Sequence, residues 1–190
     1  MAVDTLSFLT VRGDGKCLFL QRKNANFNAA CPDTMELADF ADSKEWTALS
    51  KVQDLPKDPK TVWYVNAMRK ANLTKKELLK ELADEKSVFD WMAGRGKTPA
   101  NHTKIATVNR TLFNSDDDIT FKQNVAGLVV SDAGVLKLVT KEETEEHYAL
   151  CMELRTEKEL KEVLEKNGAY FSTSVAVPLL IVLVSLAALH

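Results

Sequence analysis

Three cysteines and three histidines are the side chains of this 190-residue chain best suited to nucleophilic catalysis or metal binding. The sequence has no CxxC pair and no local signature that would place any of them together. His147 and Cys151 lie in one alternating apolar run, where four residues of extended chain separate them by about 13 Å, too far for contact. The other members of the set are Cys17, Cys31, His102 and His190. The sequence therefore predicts no catalytic residue, cofactor or metal site, and it leaves enzymatic activity undecided with a preference for binding.

The number and setting of the cysteines also bear on the cellular compartment. An odd count gives no disulfide framework by itself. Cys17 and Cys151 lie in apolar runs, where a free thiol behaves as a small buried hydrophobe. These features predict reduced cysteines in a domain that faces the cytosol.

Three short polar segments have compositions found in ligand sites but lack the required spacing. Residues 114–118, NSDDD, offer clustered oxygens without the glycine and glutamate positions of an EF-hand loop. Residues 94–98, GRGKT, fail the phosphate-loop spacing, and Pro99 follows where a helix should begin. The tripeptide Arg12-Gly13-Asp14 would matter only outside the cell, and turn chemistry alone explains its residues. We expect 114–118 to be a solvated turn and Arg12-Gly13-Asp14 a β-turn, and we expect no phosphate loop at 94–98.

Three tripeptides match the acceptor pattern for N-linked glycosylation, Asn-x-Ser/Thr. They begin at Asn72, Asn101 and Asn109. About one such match is expected by chance at ordinary residue frequencies. The excess favours a chain that passes through the secretory lumen, where this modification takes place.

The C-terminal segment Val175 to His190 reads VAVPLLIVLVSLAALH and has no charged residue before the final histidine. A helix over Val175–Leu189 is roughly 22 Å long, whereas the hydrocarbon core of a bilayer is about 30 Å thick. Extending the helix back to Ala169 lengthens it to about 32 Å. The sequence therefore predicts a soluble domain over 1–168 and a membrane segment over 169–190, with 169–189 in contact with the lipid bilayer.

This segment has two membrane interpretations and one soluble one. In the first it is a tail anchor, because Met1–Val11 lacks the basic start and apolar run of a secretory signal. Lysines at 158, 161 and 166 precede the segment and none follows, as the positive-inside tendency requires. In the second, Asn167 and Gly168 belong to a small-residue site for lipid attachment, and the apolar end is a removable signal for a glycosylphosphatidylinositol (GPI) anchor. A buried C-terminal core helix is the soluble interpretation.

These interpretations lead to two expected functions. The first is a membrane-tethered binding or adaptor protein, a tail-anchored subunit or receptor of a membrane complex that faces the cytosol from an internal membrane. The second is a lipid-anchored, glycosylated protein of the cell surface. The protein partner is unspecified in both. Nucleic acid is not an expected partner, because the net charge is −2 and the basic residues are not clustered with aromatic ones.

The elements that must position these residues can be read from local patterns. Apolar residues make up 45% of the chain and charged residues 27%, which is typical of a folded globular domain. Hairpins are predicted over Thr5–Gln21 and Val125–Lys141, and further strands over 61–65, 104–113, 119–123 and 147–154. Helices are predicted within 34–52, after the capping boxes at Thr74 and Thr156, and at 87–93. The predicted fold class is α+β, a mostly antiparallel sheet with several helices, followed by one C-terminal hydrophobic helix.

Overall fold

A computed structural model describes residues 6–71, 73–94, 103–114 and 123–166. Within these ranges the chain forms nine β-strands and three α-helices. The strands are β1 (Leu6–Val11), β2 (Cys17–Ala25), β3 (Met35–Leu37), β4 (Trp63–Arg69), β5 (Phe89–Ala93), β6 (Thr103–Thr107), β7 (Val125–Val130), β8 (Leu136–Lys141) and β9 (His147–Glu153). The helices are α1 (Ser43–Leu49), α2 (Lys75–Ala83) and α3 (Glu157–Lys166).

The nine strands form one mixed sheet. Six of them follow the order β1-β2-β9-β4-β5-β6, while β3 also pairs with β9, and β7 joins β4 to β8. Every pairing is antiparallel except that of β4 with β9. The described part of the chain is therefore roughly α+β and mostly sheet, as predicted.

Both predicted hairpins are confirmed. Val11 pairs with Cys17 across the first turn, and the Gly15 amide donates to the Arg12 carbonyl over 3.0 Å. Gly15 has φ +85°, a backbone conformation that favours glycine, so the Asp-Gly signal at this turn has a direct structural cause. The second hairpin, β7–β8, is regular over six residue pairs.

The helices that follow the two capping boxes are also confirmed. The Thr74 hydroxyl accepts from the Glu77 amide, and the Glu77 carboxylate accepts from the Thr74 amide over 2.8 Å. At α3, Thr156 and Glu159 make the same reciprocal pair of contacts. Each box satisfies amide groups that have no partner within the first turn of the helix.

Two of the helix predictions are corrected by strand pairing. Residues 34–52 hold strand β3 as well as helix α1, because Met35–Leu37 pairs with β9. Residues 89–93, predicted as a helix, are strand β5, which lies between β4 and β6. The aromatic residues of FDWMA suit a buried strand, and pairing on both sides outweighs the short helical pattern. The predicted strand over 104–113 ends at Thr107 and continues as a 3-10 turn at Arg110–Leu112, while 119–122 lies outside the described residues.

The apolar core consists of a larger and a smaller cluster of buried residues, and strands β4 and β9 contribute residues to both. On β9, Leu150 and Met152 belong to the larger apolar cluster, whereas Ala149 and Cys151 belong to the smaller one. Successive residues of a strand face opposite sides of the sheet, so this alternation shows that β9 is covered on both faces. The near-complete burial of β4 has the same cause.

None of the described helices is long and apolar enough to cross a membrane. The predicted membrane segment at 169–190 lies outside the described residues, as do the first residues of the predicted soluble domain.

Candidate functional site

A disulfide joins Cys31 to Cys151 across 120 residues of sequence, with the two Cα atoms 5.7 Å apart. Pairing of β3 with β9 places Leu37 opposite Cys151 and so brings the segment that holds Cys31 beside β9. Cys151 is fully buried in the smaller apolar cluster, against which Cys31 packs. The prediction of reduced cysteines is therefore wrong for this pair.

The remaining cysteine, Cys17, is a partly buried free thiol at the start of β2. The number of cysteines is odd because the disulfide uses two of the three and leaves Cys17 as a thiol. Two features of the sequence agree with an oxidising compartment, in which disulfides form: the three sequons and the lipid-attachment pattern at Asn167 and Gly168.

The disulfide also removes Cys151 as a candidate nucleophile. Its former candidate partner, His147, contacts other groups: the His147 ring lies edge-on to Tyr64, and its Nε2 is 3.0 Å from a carboxylate oxygen of Glu145. The Tyr64 hydroxyl donates to the carbonyls of Glu142 and Glu145 over 3.1 and 2.8 Å. Burial raises the pKa of Tyr64, and the negative charges of Glu145 and Glu143 raise it further. These contacts of Tyr64 and His147 hold the turn between β8 and β9 against the sheet.

Among the three sequons, only the one at Asn109 lies entirely within the described residues. Asn109 is exposed, and its Oδ1 accepts from the Thr111 amide over 3.0 Å and from the Thr111 hydroxyl over 2.9 Å. The Asn109 side chain thus caps the 3-10 turn Arg110–Leu112. Asn72 and Asn101 lie outside the described residues, as do the predicted lipid-attachment residues Asn167 and Gly168.

A buried group of charged side chains lies where the first hairpin, the β3 segment and the end of β9 meet. Arg155 contacts Glu36 at 2.9 Å with one guanidinium nitrogen and Asp39 with the other. The side chains of all three residues are at most 3% exposed. Burial raises the pKa of Glu36, while the positive charge of Arg155 and a hydrogen bond from the Gly94 amide oppose that rise.

Arg12 extends this buried group toward the hairpin turn. Its Nη1 donates to the Asp39 carbonyl over 2.6 Å, and its Nη2 lies 3.2 Å from Asp14. The Arg12 side chain is only 5% exposed, and its Nε has no hydrogen-bond partner, with a Glu45 oxygen 3.9 Å away. Because its guanidinium is buried, the tripeptide Arg12-Gly13-Asp14 does not present an arginine at the surface.

Above the buried group lies a cleft of about 190 Å³ between the first hairpin turn, the start of α1 and helix α3. Ion pairs cross it at both ends: Lys16 to Glu159 at 2.9 Å, and Lys166 to Asp42 at 2.5 Å. Hydrogen bonds from Thr156 and from Lys16 lower the pKa of Glu159 to about 2. The hydrogen bond from Lys166 likewise lowers the pKa of Asp42.

The ion pairs that line the cleft link separate elements of the fold. We call these pairs, including those of Arg155 with Glu36 and Asp39, the brace. Its four basic side chains, Arg12, Lys16, Arg155 and Lys166, each pair with an acid from another part of the chain or from the same turn. Helix α3 is thereby attached to the hairpin at one end and to α1 at the other. No local sequence pattern could have found these contacts, since the partners of Arg155 lie 119 and 116 residues away.

Two of the three polar segments, 114–118 and 94–98, are only partly described. Residues 115–118 of the acidic cluster and 95–98 of the glycine-containing segment lie outside the described ranges. Within those ranges, no group of three or more His, Cys, Asp or Glu side chains is arranged to hold a metal ion.

Neither protein-family models nor curated protein sequences give a match to this chain.

Proposed function

We propose that this chain is a membrane-tethered binding protein of the cell surface, folded in the secretory lumen, glycosylated, and held by a lipid anchor attached at Asn167 or Gly168. The observation that carries the proposal is the disulfide between Cys31 and Cys151. Disulfides form and persist in secreted and cell-surface proteins, whereas cytosolic thiols are kept reduced. The bridge therefore favours the second of the two functions expected from the sequence.

The setting of the disulfide supports a structural role for it. Cys151 is completely buried between two paired strands, and Cys31 packs against the same apolar cluster. A catalytic or regulatory disulfide needs a thiol that an external partner can reach. This bridge instead fixes the β3 segment to the centre of the sheet.

Binding is favoured over catalysis by the contacts of the residues best suited to chemistry. Cys151 is oxidised, and His147 contacts Tyr64 and Glu145 in a turn. The buried arginines 12 and 155 are paired with acids. Each of these groups already has a structural contact in the folded chain.

The tail-anchored, cytosol-facing adaptor remains the competing prediction. One feature that favours it is the position of Lys158, Lys161 and Lys166 on α3, before the apolar segment 175–189. The two proposals differ in the compartment of the domain and in the fate of residues 169–190.

Both differences can be measured on the full chain in cultured animal cells. If the chain is a lipid-anchored cell-surface protein, we expect glycosidase to reduce its apparent mass. We also expect a phospholipase specific for inositol phospholipids to release it from intact cells. A variant with glutamine at both Asn167 and Gly168 should lose this release, because large side chains do not suit an attachment site. The variant keeps the apolar segment 175–189, so a tail anchor would be unaffected by it. Digestion of the domain by protease added to the cytosolic side, with no glycan, would overturn the cell-surface proposal and support the tail anchor.

A further inference from the structure

We propose that Asn109 carries an N-linked glycan, two residues beyond strand β6, whose second side no described strand pairs with; this rests on the proposed function, since the modification requires the secretory lumen. The sequon Asn109-Arg110-Thr111 lies two residues after the end of β6. Both Asn109 and Thr111 are exposed, while Arg110 between them is partly buried. The folded chain thus leaves the acceptor residue open to solvent.

The contacts within this sequon are local. The Thr111 hydroxyl and the Thr111 amide both donate to Asn109 Oδ1, over 2.9 and 3.0 Å. Such an Asx turn involves residues two apart in sequence, so it can form before the rest of the domain folds. The carbonyl oxygen of the side-chain amide is held by these contacts, and its Nδ2 group has no hydrogen-bond partner among the described residues.

Residues within and just after the sequon fix the turn to the domain. Phe113 is 3% exposed and packs against Phe89, with ring centroids 5.0 Å apart. The Arg110 guanidinium lies over the Phe113 ring at 5.6 Å. The Lys137 ammonium donates to the Thr111 carbonyl over 3.0 Å. With the middle and the end of the turn held in this way, a sugar attached to Asn109 would displace no core side chain.

The covalent step is a glycosyl transfer from a lipid-linked oligosaccharide diphosphate. The bond between the sugar C1 and the phosphate oxygen breaks, and a bond between C1 and Asn109 Nδ2 forms. Nδ2 loses one of its two protons, and the lipid diphosphate leaves with the electron pair of the broken bond. No oxidant or reductant is needed.

The location of Asn109 gives the glycan a structural consequence. Within the described residues β6 pairs with β5 and with no other strand, so one side of β6 has no described strand beside it. Helix α3 also contacts β6. Open edges can pair with strands of other chains, and proteins commonly cover or block them. A large hydrophilic glycan two residues beyond β6 would hinder such pairing.

Peptide mapping of the full chain from animal cells tests the proposal. Trypsin is expected to release Ile105–Arg110, IATVNR, which contains Asn109 and no other sequon asparagine. We expect this peptide to be recovered mainly after enzymatic removal of N-glycans, with Asn109 converted to aspartate. Asn109→Asp should reduce the glycosidase-sensitive shift in gel mobility by one glycan, and Thr111→Val should do the same. Thr111→Ser keeps the sequon and should keep the full shift.

The same series of variants contains a control for effects on folding. Aspartate retains the capping oxygen of Asn109 and lacks the acceptor amide, so Asn109→Asp separates loss of the glycan from loss of the cap. The mapping itself uses the unmodified sequence and does not depend on any variant folding. Recovery of IATVNR wholly unmodified, from a chain glycosylated at Asn72 or Asn101, would overturn this inference and leave the proposed function standing. A chain with no glycan, digested from the cytosolic side, would overturn both.

Discussion

Replacing Arg155 with methionine tests whether the buried charges act as a brace. The substitution keeps much of the side-chain volume and removes the positive charge that contacts both Glu36 and Asp39. Removing one partner of a buried ion pair costs about 3–5 kcal/mol, because the other charge stays buried without compensation. We expect a loss in this range, against a total stability of roughly 5–15 kcal/mol for a domain. The melting temperature should fall by roughly 6–20 °C, at about 2–4 °C per kcal/mol.

The pH dependence of this loss identifies its cause. Burial already raises the pKa of Glu36, and Arg155 opposes that rise. In the Arg155→Met variant the folded-state pKa of Glu36 should therefore rise further above its unfolded value. A carboxyl with a raised folded-state pKa favours folding as the pH falls, because the neutral form no longer needs a partner. The difference in unfolding free energy between wild type and variant should thus shrink on acidification.

Urea denaturation under non-reducing conditions, repeated over a pH series, measures both effects. The matched control is Lys158→Met, which removes one partner of an exposed pair with Glu162. Exposed pairs contribute about 0–1 kcal/mol, so the control should change little. A loss below about 1 kcal/mol for Arg155→Met, or a loss that does not depend on pH, would refute the brace.

Three further predictions follow from particular contacts. Replacing both Cys31 and Cys151 with alanine should destabilise the chain by about 5 kcal/mol, since the bridge closes a loop of 120 residues; non-reducing urea denaturation checks this, and an unchanged midpoint would contradict it. Because the pKa of Glu159 is lowered from 4.5 to about 2, its ionised form stabilises the fold above about pH 4.5, and the stability difference from Glu159→Gln should vanish as the pH approaches 2; a constant difference would contradict this. Gly127→Ala should destabilise the chain by about 1–3 kcal/mol, because the new Cβ would lie 2.3 Å from a Val62 methyl; thermal unfolding measures the loss, and an unchanged melting temperature would contradict it.

Local signals in the sequence predicted the elements that depend on local contacts. The turn at Asp14-Gly15 and the capping boxes at Thr74 and Thr156 each involve residues at most three apart, and each is present in the structure. Residues 89–93 were mispredicted because their state is decided by two neighbouring strands, β4 and β6. The helical pattern of those few residues carried no information about either neighbour.

The candidate sites likewise divide into those formed by residues close in sequence and those formed by residues far apart. The Asn109 sequon is a tripeptide, so the sequence alone identifies it, and the structure adds its exposure and its Asx turn. The disulfide and the Arg155 contacts join residues more than 110 positions apart. Spacing along the chain gives no indication of such pairs, because only the pairing of β3 with β9 brings them together.

Counting thiols in the chain taken from cells measures whether Cys31 and Cys151 are joined there. Cells that produce the full chain are quenched in acid, and the chain is denatured and alkylated before and after reduction. We expect one alkylated cysteine before reduction, Cys17, and two more only after reduction. Three alkylated cysteines without reduction would contradict the disulfide and remove the main support for a cell-surface protein.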